Sequence, residues 1–496
     1  MNDQVSFVRA ELRNEINSIC GLPSELLGII GSHLGPQDRL EASCVSRHLY
    51  KSLVGNRLLW SNIDCDNPHL AFVFLKRSEQ SLLNVSIRRS NLGTSLLQSL
   101  RKSAGRIETL SITLYSPRLK EVLHGASLSV KTLEIGTRGG VAQISIQNFP
   151  VLETLTIRGD PVTSHTPCLT RFTFTGELNG HERITRFLSF LSECPQLTEL
   201  AVTHGPVAEG NGPVKFKNLR TYTDHTTSLH YDLGLYGLLS LPEQEKCSVI
   251  FMRNGVGYPH HKFPELPPSV TPERIRFKTT LSRRLDTSQG EVEECADGLL
   301  EIVDSTTGNR FCSTAQSSLW SNTPSTPMNQ INRLYLPSLR TFDTKDTKTL
   351  CIEEHVALPM NTALFLDSFP NLKTLILSCR SVTAHLSALA PPRSFFEKLR
   401  CPVLESVIVC DQYDEGVQGR LLQVLAGIAR KRQIAGCPFK LVRFFSPESR
   451  ALGSPETVEE LRGLVANGNF KLKEGSRARD WNVDKYFLEG LRLGSG

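Results

Sequence analysis

Hydrophobic and polar positions alternate with helical spacing at the start of this chain. In the first 20 residues apolar side chains recur every three or four positions, which predicts one amphipathic helix over residues 1–20. Gly21 ends that pattern, and a second helix is predicted from the Pro23-Ser24-Glu25 turn to the Gly35-Pro36 stop. The apolar stripe of this second helix consists of Leu22, Leu26, Ile30 and Leu34.

Two more short helices are predicted before residue 65. Asp38 and Glu41 have the spacing of a capping box, which predicts that a helix begins at Asp38. Another helix is expected from about Ser46 to Val54, and Leu58-Leu59-Trp60 closes the segment. Three helices of this length cannot hide so many large apolar side chains. The segment therefore has an apolar face that contacts either another chain or the rest of this one.

The order of these residues resembles the F-box over residues 21–65. The resemblance rests on Leu-Pro-x-Glu-Leu-Leu from Leu22, on Val45-Ser46 and on Leu59-Trp60-x-x-Ile63, although Ser43-Cys44-Val45-Ser46 departs from the commoner Val-Cys pair. It implies a three-helix module that docks on a Skp-type adaptor protein and through it joins a cullin-RING (SCF-type) ubiquitin ligase. Leu26 and Trp60 are the expected anchors, because a few large apolar residues dominate most interfaces. The adaptor-facing residues that the resemblance implies are Leu22, Pro23, Leu26, Ile30, Leu34, Val45, Leu59 and Trp60.

Beyond residue 80 a nine-residue pattern returns. Its clear copies are FPVLETLTI (149–157), CPQLTELAV (194–202), FPNLKTLIL (369–377) and CPVLESVIV (401–409). Looser copies begin at Leu82, Ile107, Val130, Leu169, Leu339 and Leu441. Apolar residues at offsets 0, +3 and +5 predict a short strand entered from a turn. Helical stretches such as residues 181–194 separate the strands, so neighbouring units must stack to bury their apolar sides.

This repetition resembles an irregular leucine-rich-repeat solenoid over residues 80–224 and 331–446. The Asn or Cys expected three residues past each strand is missing, and a compact α/β domain with short Leu-rich strands is the alternative. Residues 225–330 are predicted to be an irregular insert containing a Ser/Thr/Pro tract (313–327) and two candidate strands, CSVIFM and RIRFKTTL. Residues 447–496 form a C-terminal extension. The predicted fold class is α/β: an N-terminal three-helix F-box followed by an irregular repeat solenoid with a long insert.

Composition narrows the function classes. Apolar residues make up 39% and charged residues 21% of the chain, which favours a folded protein. A net charge of +6, from 56 basic and 50 acidic residues, does not indicate nucleic-acid or membrane binding. The 13 scattered cysteines and the polar N-terminus favour a protein with reduced thiols in the cytoplasm and/or nucleus. The basic cluster Arg430-Lys431-Arg432 is interpreted as a solvated helix end rather than an import signal.

Enzyme motifs are absent from the sequence. It has no Gly-x4-Gly-Lys-Ser/Thr loop, no Gly-x-Gly-x-x-Gly and no Gly-x-Ser-x-Gly, and His260-His261 lacks a third ligand nearby. No catalytic, metal or cofactor residues are therefore predicted. The leading hypothesis is a substrate adaptor, similar to members of the large fungal F-box families, that binds a Skp-type adaptor, cullin through it, and an unknown target protein. The alternatives are a non-degradative scaffold that acts outside a ligase and a repeat-fold enzyme.

Overall fold

The computed structural model describes most of the chain and divides it into two compact units. The described residues are 19, 21–89, 92–113, 120–136, 145–146, 149–159, 163–164, 166–207, 213–226, 235–242, 247–253, 270–285, 292–318, 343–354, 366–379, 386, 389, 401–410, 418–446, 454–474 and 487. Unit 1 comprises residues 1–200 and 207–218, and unit 2 comprises residues 201–206 and 219–496. Apart from Ile19, the predicted leading helix lies outside the described residues.

Nine helices are described. They are α1 (Ser24–His33), α2 (Pro36–Val45), α3 (Arg47–Gly55), α4 (Pro68–Arg77), α5 (Thr94–Lys102), α6 (Lys120–Ala126), α7 (His181–Ser192), α8 (Gln418–Ile434) and α9 (Pro455–Leu464). The described 3-10 turns are Arg57–Trp60, Ala104–Arg106, Tyr236–Leu238, Thr344–Asp346 and Ala466–Gly468. α1, α2 and α3 confirm the three short helices that the sequence predicts.

The described strands of unit 1 are short. They are β1 (Asn62–Asp64), β2 (Leu83–Ile87), β3 (Ile107–Ile112), β4 (Thr132–Gly136), β5 (Ser145–Ile146), β6 (Thr154–Arg158), β7 (Thr163–Ser164), β8 (Arg171–Leu178), β9 (Glu199–Val207) and β10 (Val214–Lys215). β9 contributes residues 201–206 to unit 2.

The remaining described strands belong to unit 2. They are β11 (Thr221–Thr226), β12 (Leu239–Ser240), β13 (Ser248–Arg253), β14 (Pro272–Leu285), β15 (Val292–Asp304), β16 (Arg310–Ser318), β17 (Thr349–Glu354), β18 (Thr374–Cys379), β19 (Ser406–Cys410), β20 (Leu441–Ser446) and β21 (Phe470–Glu474).

A parallel sheet organises unit 1. β1 pairs with β2, and the ladder continues through β3, β4, β6 and β8. One register row runs across this sheet and every member is buried, because alternate side chains of a strand point to the same face. The row consists of Val85, Leu110, Leu133, Leu155 and Phe172.

α7 covers the end of this ladder with aromatic side chains. Phe187 lies with its ring centre 4.9 Å from that of Phe174, and Phe190 lies 5.0 Å from Phe172. The predicted helix over residues 181–194 is therefore confirmed, and its apolar stripe packs on β8.

The four clear copies of the nine-residue pattern share one turn. In each copy the leading leucine donates its N–H to the carbonyl oxygen of the residue three positions earlier. The bonds are Leu152 to Phe149 (3.3 Å), Leu197 to Cys194 (3.2 Å), Leu372 to Phe369 (3.3 Å) and Leu404 to Cys401 (3.0 Å). A parallel strand follows each turn, which confirms the predicted strands. That these strands form a leucine-rich-repeat solenoid stays a prediction.

The loose copy at Leu82 is wrong only in its leading residue. Its strand positions Val85 and Ile87 pair with Leu110 and Ile112, the same positions of the next copy. Ile107 is the residue that leads the next copy, and its partner in the sheet is Leu83, not Leu82. A register shift between Leu83 and Asn84 accounts for the difference, since one extra residue in β3 moves the pairing by one position. Leu82 is therefore exposed and Leu83 is buried.

An antiparallel group of strands interrupts the parallel ladder of unit 2. β11 pairs with β13 and β13 with β16, while β14 pairs with β17, and the ladder continues through β18, β19, β20 and β21. β15 lies antiparallel between β14 and β16. β13 and β14 confirm the two candidate strands of the insert. The irregular structure predicted for the Ser/Thr/Pro tract (313–327) is wrong for residues 313–318, which belong to β16, and the rest of that tract lies outside the described residues.

Two local predictions need correction. α2 begins at Pro36 with Gly35 as its N-cap, not at Asp38, because proline fits the first turn of a helix without loss of a hydrogen bond. Arg430 and Lys431 are exposed, as a solvated helix end requires, but that prediction is wrong for Arg432, which is fully buried. Its guanidinium donates to the carbonyl oxygens of Cys401 (3.1 Å) and Leu404 (3.3 Å), and in this way α8 holds the turn that precedes β19.

Candidate functional site

α1 has one buried face and one exposed apolar face. Leu27, Gly28 and Gly31 are its buried residues. Leu26 and Ile30, one helical turn apart, are 46% and 44% exposed, and Ile29 beside them is also exposed. The sequence predicted Leu26 and Ile30 for this face, and in the structure both keep a large exposed area.

The buried face of α1 packs closely on α3 and on the Arg57–Trp60 turn. A Cβ atom at Gly31 would lie 2.6 Å from Leu53 Cδ2 and 3.0 Å from Leu59 Cδ1. Because Leu53 and Leu59 are both buried, neither side chain has free space to move into. Gly31 therefore lets α1 contact α3 and the Arg57–Trp60 turn directly.

Arg39 ties the end of α1 to the same turn. Its Nε donates to the carbonyl oxygen of Gly31 (2.9 Å), one Nη donates to that of Leu34 (3.0 Å), and the other donates to that of Leu59. The carbonyl groups at the C-terminal end of a helix lack partners within it, so a buried guanidinium satisfies them. Burial lowers the pKa of Arg39. Arg39 is not among the functional residues predicted from the sequence.

Leu59 and Trp60 are buried, which corrects the expectation that they lie on the exposed apolar face. Trp60 is 0% exposed; its indole N–H donates to the carbonyl oxygen of Leu53 (2.8 Å). The ring of Phe74 meets the Trp60 ring edge-on, with 4.9 Å between their centres. Trp60 is therefore a core residue of unit 1, and its side chain is not presented to a partner.

The cover over Trp60 comes from α4, which follows the predicted three-helix segment. The guanidinium of Arg77 lies 4.3 Å from the centre of the Trp60 ring and donates to Ser43 Oγ (3.1 Å). Arg77 also lies 5.9 Å from the ring of Tyr50. A cation over an aromatic ring that is desolvated is a favourable contact. Residues of α4 therefore cover Trp60, whereas Leu26 and Ile30 of α1 stay exposed.

The other predicted contact residues divide between exposed and half-buried positions. Pro23 and Val45 are exposed, and Leu22 and Leu34 are half-buried. His48 Nε2 lies 3.3 Å from the carbonyl oxygen of Leu22, which places the start of α1 beside α3. Besides Leu26 and Ile30, four of the eight predicted residues are therefore exposed or half-buried, and the remaining two are buried.

Leu58 is an exposed residue that the predicted set omits. It is 71% exposed, whereas its neighbours Leu59 and Trp60 are buried. A 3-10 turn directs successive side chains about a third of a turn apart, so three consecutive apolar residues cannot all face inward. That geometry was the signal in the sequence that one of the three had to be exposed.

The described part of the chain contains one buried histidine–carboxylate pair with reactive potential. His204 Nε2 lies 3.1 Å from Asp224 Oδ1, and Tyr222 donates its hydroxyl to Asp224 Oδ2 (2.6 Å). His204 Nδ1 contacts the carbonyl oxygen of Gly205. Burial lowers the pKa of His204, but the hydrogen bond and charge of Asp224 raise it more, so the net pKa is raised. Both ring nitrogens are engaged inside the core, and neither is available to a substrate.

Among the described residues, the buried thiols Cys65 and Cys194 are poor nucleophiles and no metal-binding group is found. Burial, together with the charges of Asp64 and Asp66, raises the pKa of Cys65 to about 12, and burial raises that of Cys194 to about 11, so both thiols stay protonated. Within the described ranges no three His, Cys, Asp or Glu side chains form a metal-binding group. None of the described helices has the length and apolar character needed to cross a membrane.

Comparison with known proteins gives one assignment. No curated protein matches the chain. The family model described as F-box-like matches residues 19–66, the segment that contains α1, α2, α3 and the Arg57–Trp60 turn. The resemblance seen in residues 21–65 is therefore confirmed, whereas a fungal family and leucine-rich repeats are not. Residues 19–66 of this chain are an F-box-like domain, which indicates a role in protein–protein interaction.

Proposed function

We propose that this protein is a substrate-recognition adaptor of an SCF-type ubiquitin ligase. The F-box-like domain binds a Skp-type adaptor, cullin joins through that adaptor, and the remainder of the chain binds a target protein. The exposed apolar row Leu26, Ile29 and Ile30 on α1, within a domain of this family, is the observation that carries the proposal. The protein then acts in the cytoplasm or nucleus.

Exposed apolar surface is the physical reason for a partner. Val45 and Leu58 add exposed apolar side chains on α2 and on the turn that contacts α1. Large apolar side chains exposed together mark interaction sites in soluble proteins, and burying one of them stabilises a complex by roughly 1.5–3 kcal/mol. We therefore assign adaptor binding to Leu26, Ile30 and Val45, with Leu58 added and with Leu59 and Trp60 in a supporting structural role.

The chain itself performs no bond chemistry in this proposal. It accelerates ubiquitin transfer by holding a target lysine near the ligase, which raises the effective concentration of the reacting groups. A non-degradative scaffold would use the same α1 surface and the same Skp-type adaptor without a cullin. A repeat-fold enzyme would need an accessible reactive group; His204, Cys65 and Cys194 are buried, whereas the thiols of Cys44 and Cys168 are exposed.

Co-purification of the tagged full chain from cells tests the proposal. A Skp-type protein and cullin are expected with the wild-type chain, and both are expected to be lost with Leu26→Ala/Ile30→Ala. The matched control is Leu128→Ala, because Leu128 is an exposed leucine of unit 1 outside the F-box-like domain. Recovery of the Skp-type protein without cullin would favour the scaffold. Equal recovery of the Skp-type protein with both variants would refute adaptor binding through Leu26 and Ile30.

A further inference from the structure

Exposed apolar side chains continue past the F-box-like domain along one edge of the unit 1 sheet. Among the described residues of unit 1 after position 66, the large apolar side chains that are exposed are those of Leu82, Leu128 and Val151. Each lies in the turn that precedes a strand, β2, β4 or β6. Because these strands are parallel, the turns before them lie at the same edge of the sheet.

Leu58 of the F-box-like domain lies at the same edge. It belongs to the Arg57–Trp60 turn, which precedes β1, and β1 pairs in parallel with β2. The main-chain N–H of Asn84 donates to the carbonyl oxygen of Ser61 (3.0 Å), so the turns before these two strands are neighbours. Leu58 and Leu82 are therefore exposed apolar residues of two adjacent turns.

Contacts with both neighbouring turns hold the residues before Leu82 in place. From one side Arg57 forms an ion pair with Glu79 (2.7 Å). From the other side Arg106 Nη1 donates to the carbonyl oxygen of Ser81 (3.2 Å) and to that of Glu79. The turn is therefore ordered before a partner arrives, and binding there costs less conformational entropy than binding to a loose segment.

The next turn along the edge interrupts the exposed apolar surface. It is the Ala104–Arg106 turn before β3, in which the exposed residue Gly105 has no side chain. β3 lies between β2 and β4 in the ladder. Neighbouring strands are about 4.8 Å apart, so β4 lies about 10 Å from β2. Leu82 therefore groups with Leu58, whereas Leu128 is separated from both.

The contact area that a Skp-type adaptor needs favours a surface larger than α1. A specific interface of standard size buries about 800 Å² on each partner. α1 has 10 residues, and a helix of that length is about 15 Å long and about 10 Å wide. Its outer face supplies only a fraction of the required area, so the adaptor must contact further elements. Leu58 is already assigned to that contact, and Leu82 is exposed on the turn beside it.

We propose that the adaptor surface extends past the F-box-like domain onto the turn before β2, where Leu82 packs against the Skp-type adaptor beside Leu58. The inference rests on the proposed function, which supplies the identity of the partner. Leu82 is 53% exposed, while the next residue, Leu83, fills the core. The extra residue of β3 that turns Leu82 outward thus gives the adaptor an apolar contact outside residues 19–66. Burial of that side chain strengthens the complex.

Thiol footprinting of the full-length chain with a purified Skp-type protein tests this contact. At about 100 times its Kd the Skp-type protein occupies nearly every chain, so maleimide labelling of the thiol introduced by Leu82→Cys should fall at least about tenfold. Leu26→Cys on α1 is the positive control, and Leu128→Cys is the matched negative control. The native thiol of Cys168, exposed in the turn before β8, reports unspecific protection in every sample.

A charged side chain at the same position tests the energetic contribution. Leu82→Asp changes an exposed residue, so thermal unfolding should stay close to that of the wild-type chain. In the complex the carboxylate would lose its water without gaining a partner, which is costly. Calorimetric titration with the Skp-type protein should therefore show a Kd raised at least about tenfold. Leu128→Asp is the matched control and should keep the wild-type Kd.

The outcomes separate this contact from the ligase assignment. Protection of Leu26→Cys without protection of Leu82→Cys would overturn the extension and leave adaptor binding through α1 standing, whereas protection at neither position would contradict both. Equal protection of Leu82→Cys, Leu128→Cys and Cys168 would also overturn it, because the contact would then not be specific to the turn before β2. A wild-type Kd for Leu82→Asp, the result expected if a target protein covers Leu82 instead, would overturn it as well.

Discussion

Trp60 donates its indole N–H to the main-chain oxygen of Leu53 over 2.8 Å, and this bond joins the end of the Arg57–Trp60 turn to α3. Phe74 and Arg77 of α4 both contact the same ring. A buried tryptophan usually needs a partner for its N–H, and here the partner lies within the F-box-like domain. Trp60 therefore stabilises the domain that presents Leu26 and Ile30.

Truncation of Trp60 is expected to act on stability. Trp60→Ala should lower the free energy of unfolding of unit 1 by about 3–5 kcal/mol, because it leaves a large cavity. Trp60→Phe keeps an aromatic ring against Phe74 and should cost less, although it leaves the Leu53 carbonyl without this donor. Urea unfolding followed by circular dichroism measures both. A wild-type midpoint for Trp60→Ala would contradict its place in the core.

Adjacent leucines of α1 should give opposite results. Leu27→Ala removes a buried side chain and should lower stability by about 2–5 kcal/mol. Leu26→Ala removes an exposed one, so its effect on stability should stay within about 0.5 kcal/mol, while affinity for a Skp-type protein should fall at least about tenfold. Calorimetric titration and thermal unfolding separate the two effects. Loss of stability in Leu26→Ala would show that its side chain is covered.

Substitution of Gly31 tests the close packing of α1. In a helix alanine is more favourable than glycine by about 1 kcal/mol. At position 31, however, the added methyl group meets Leu53 and Leu59. Overpacking of this kind costs about 1–3 kcal/mol, so Gly31→Ala is expected to destabilise the protein on balance. Gly427→Ala in α8 is the control, since nothing lies within 4 Å of its added Cβ, and it should be neutral or stabilising. Thermal unfolding should show a lower midpoint for Gly31→Ala and an unchanged or higher midpoint for Gly427→Ala.

The stabilisation that His204 gives to unit 2 should decrease as the pH rises above 6.5. Its pKa is raised in the folded chain above the ordinary value of 6.5. The protonated form is therefore favoured by folding, and this stabilisation is fully present below about pH 6.5 and is lost as the pH rises through the raised pKa. The difference in unfolding free energy between the wild-type chain and His204→Gln should shrink over that range. A difference that does not change with pH would contradict the His204–Asp224 interaction.

Local patterns predicted the repeated elements well. Leu152 and Leu155 of one copy, and Leu404 and Val407 of another, are all buried as the template requires, because a turn and a period of two are properties of a few consecutive residues. The burial of Leu83 in place of Leu82 was not predictable in this way, since it depends on an extra residue in the neighbouring strand β3. The burial of Arg432 likewise depends on the carbonyls of a turn about 30 residues earlier in the chain.

The amino-acid sequence by itself determined that residues 21–65 form three short helices with more apolar surface than they can bury, and that short strands recur after them. Helical period, turn residues and motif order are local, so they can be read along the chain. Only the tertiary structure decided which part of that surface is open. α4 brings Phe74 and Arg77 onto Trp60, whereas Leu26 and Ile30 keep almost half of their surface exposed. A hydrophobic side chain is equally well satisfied by its own chain or by another, and its sequence position does not distinguish the two.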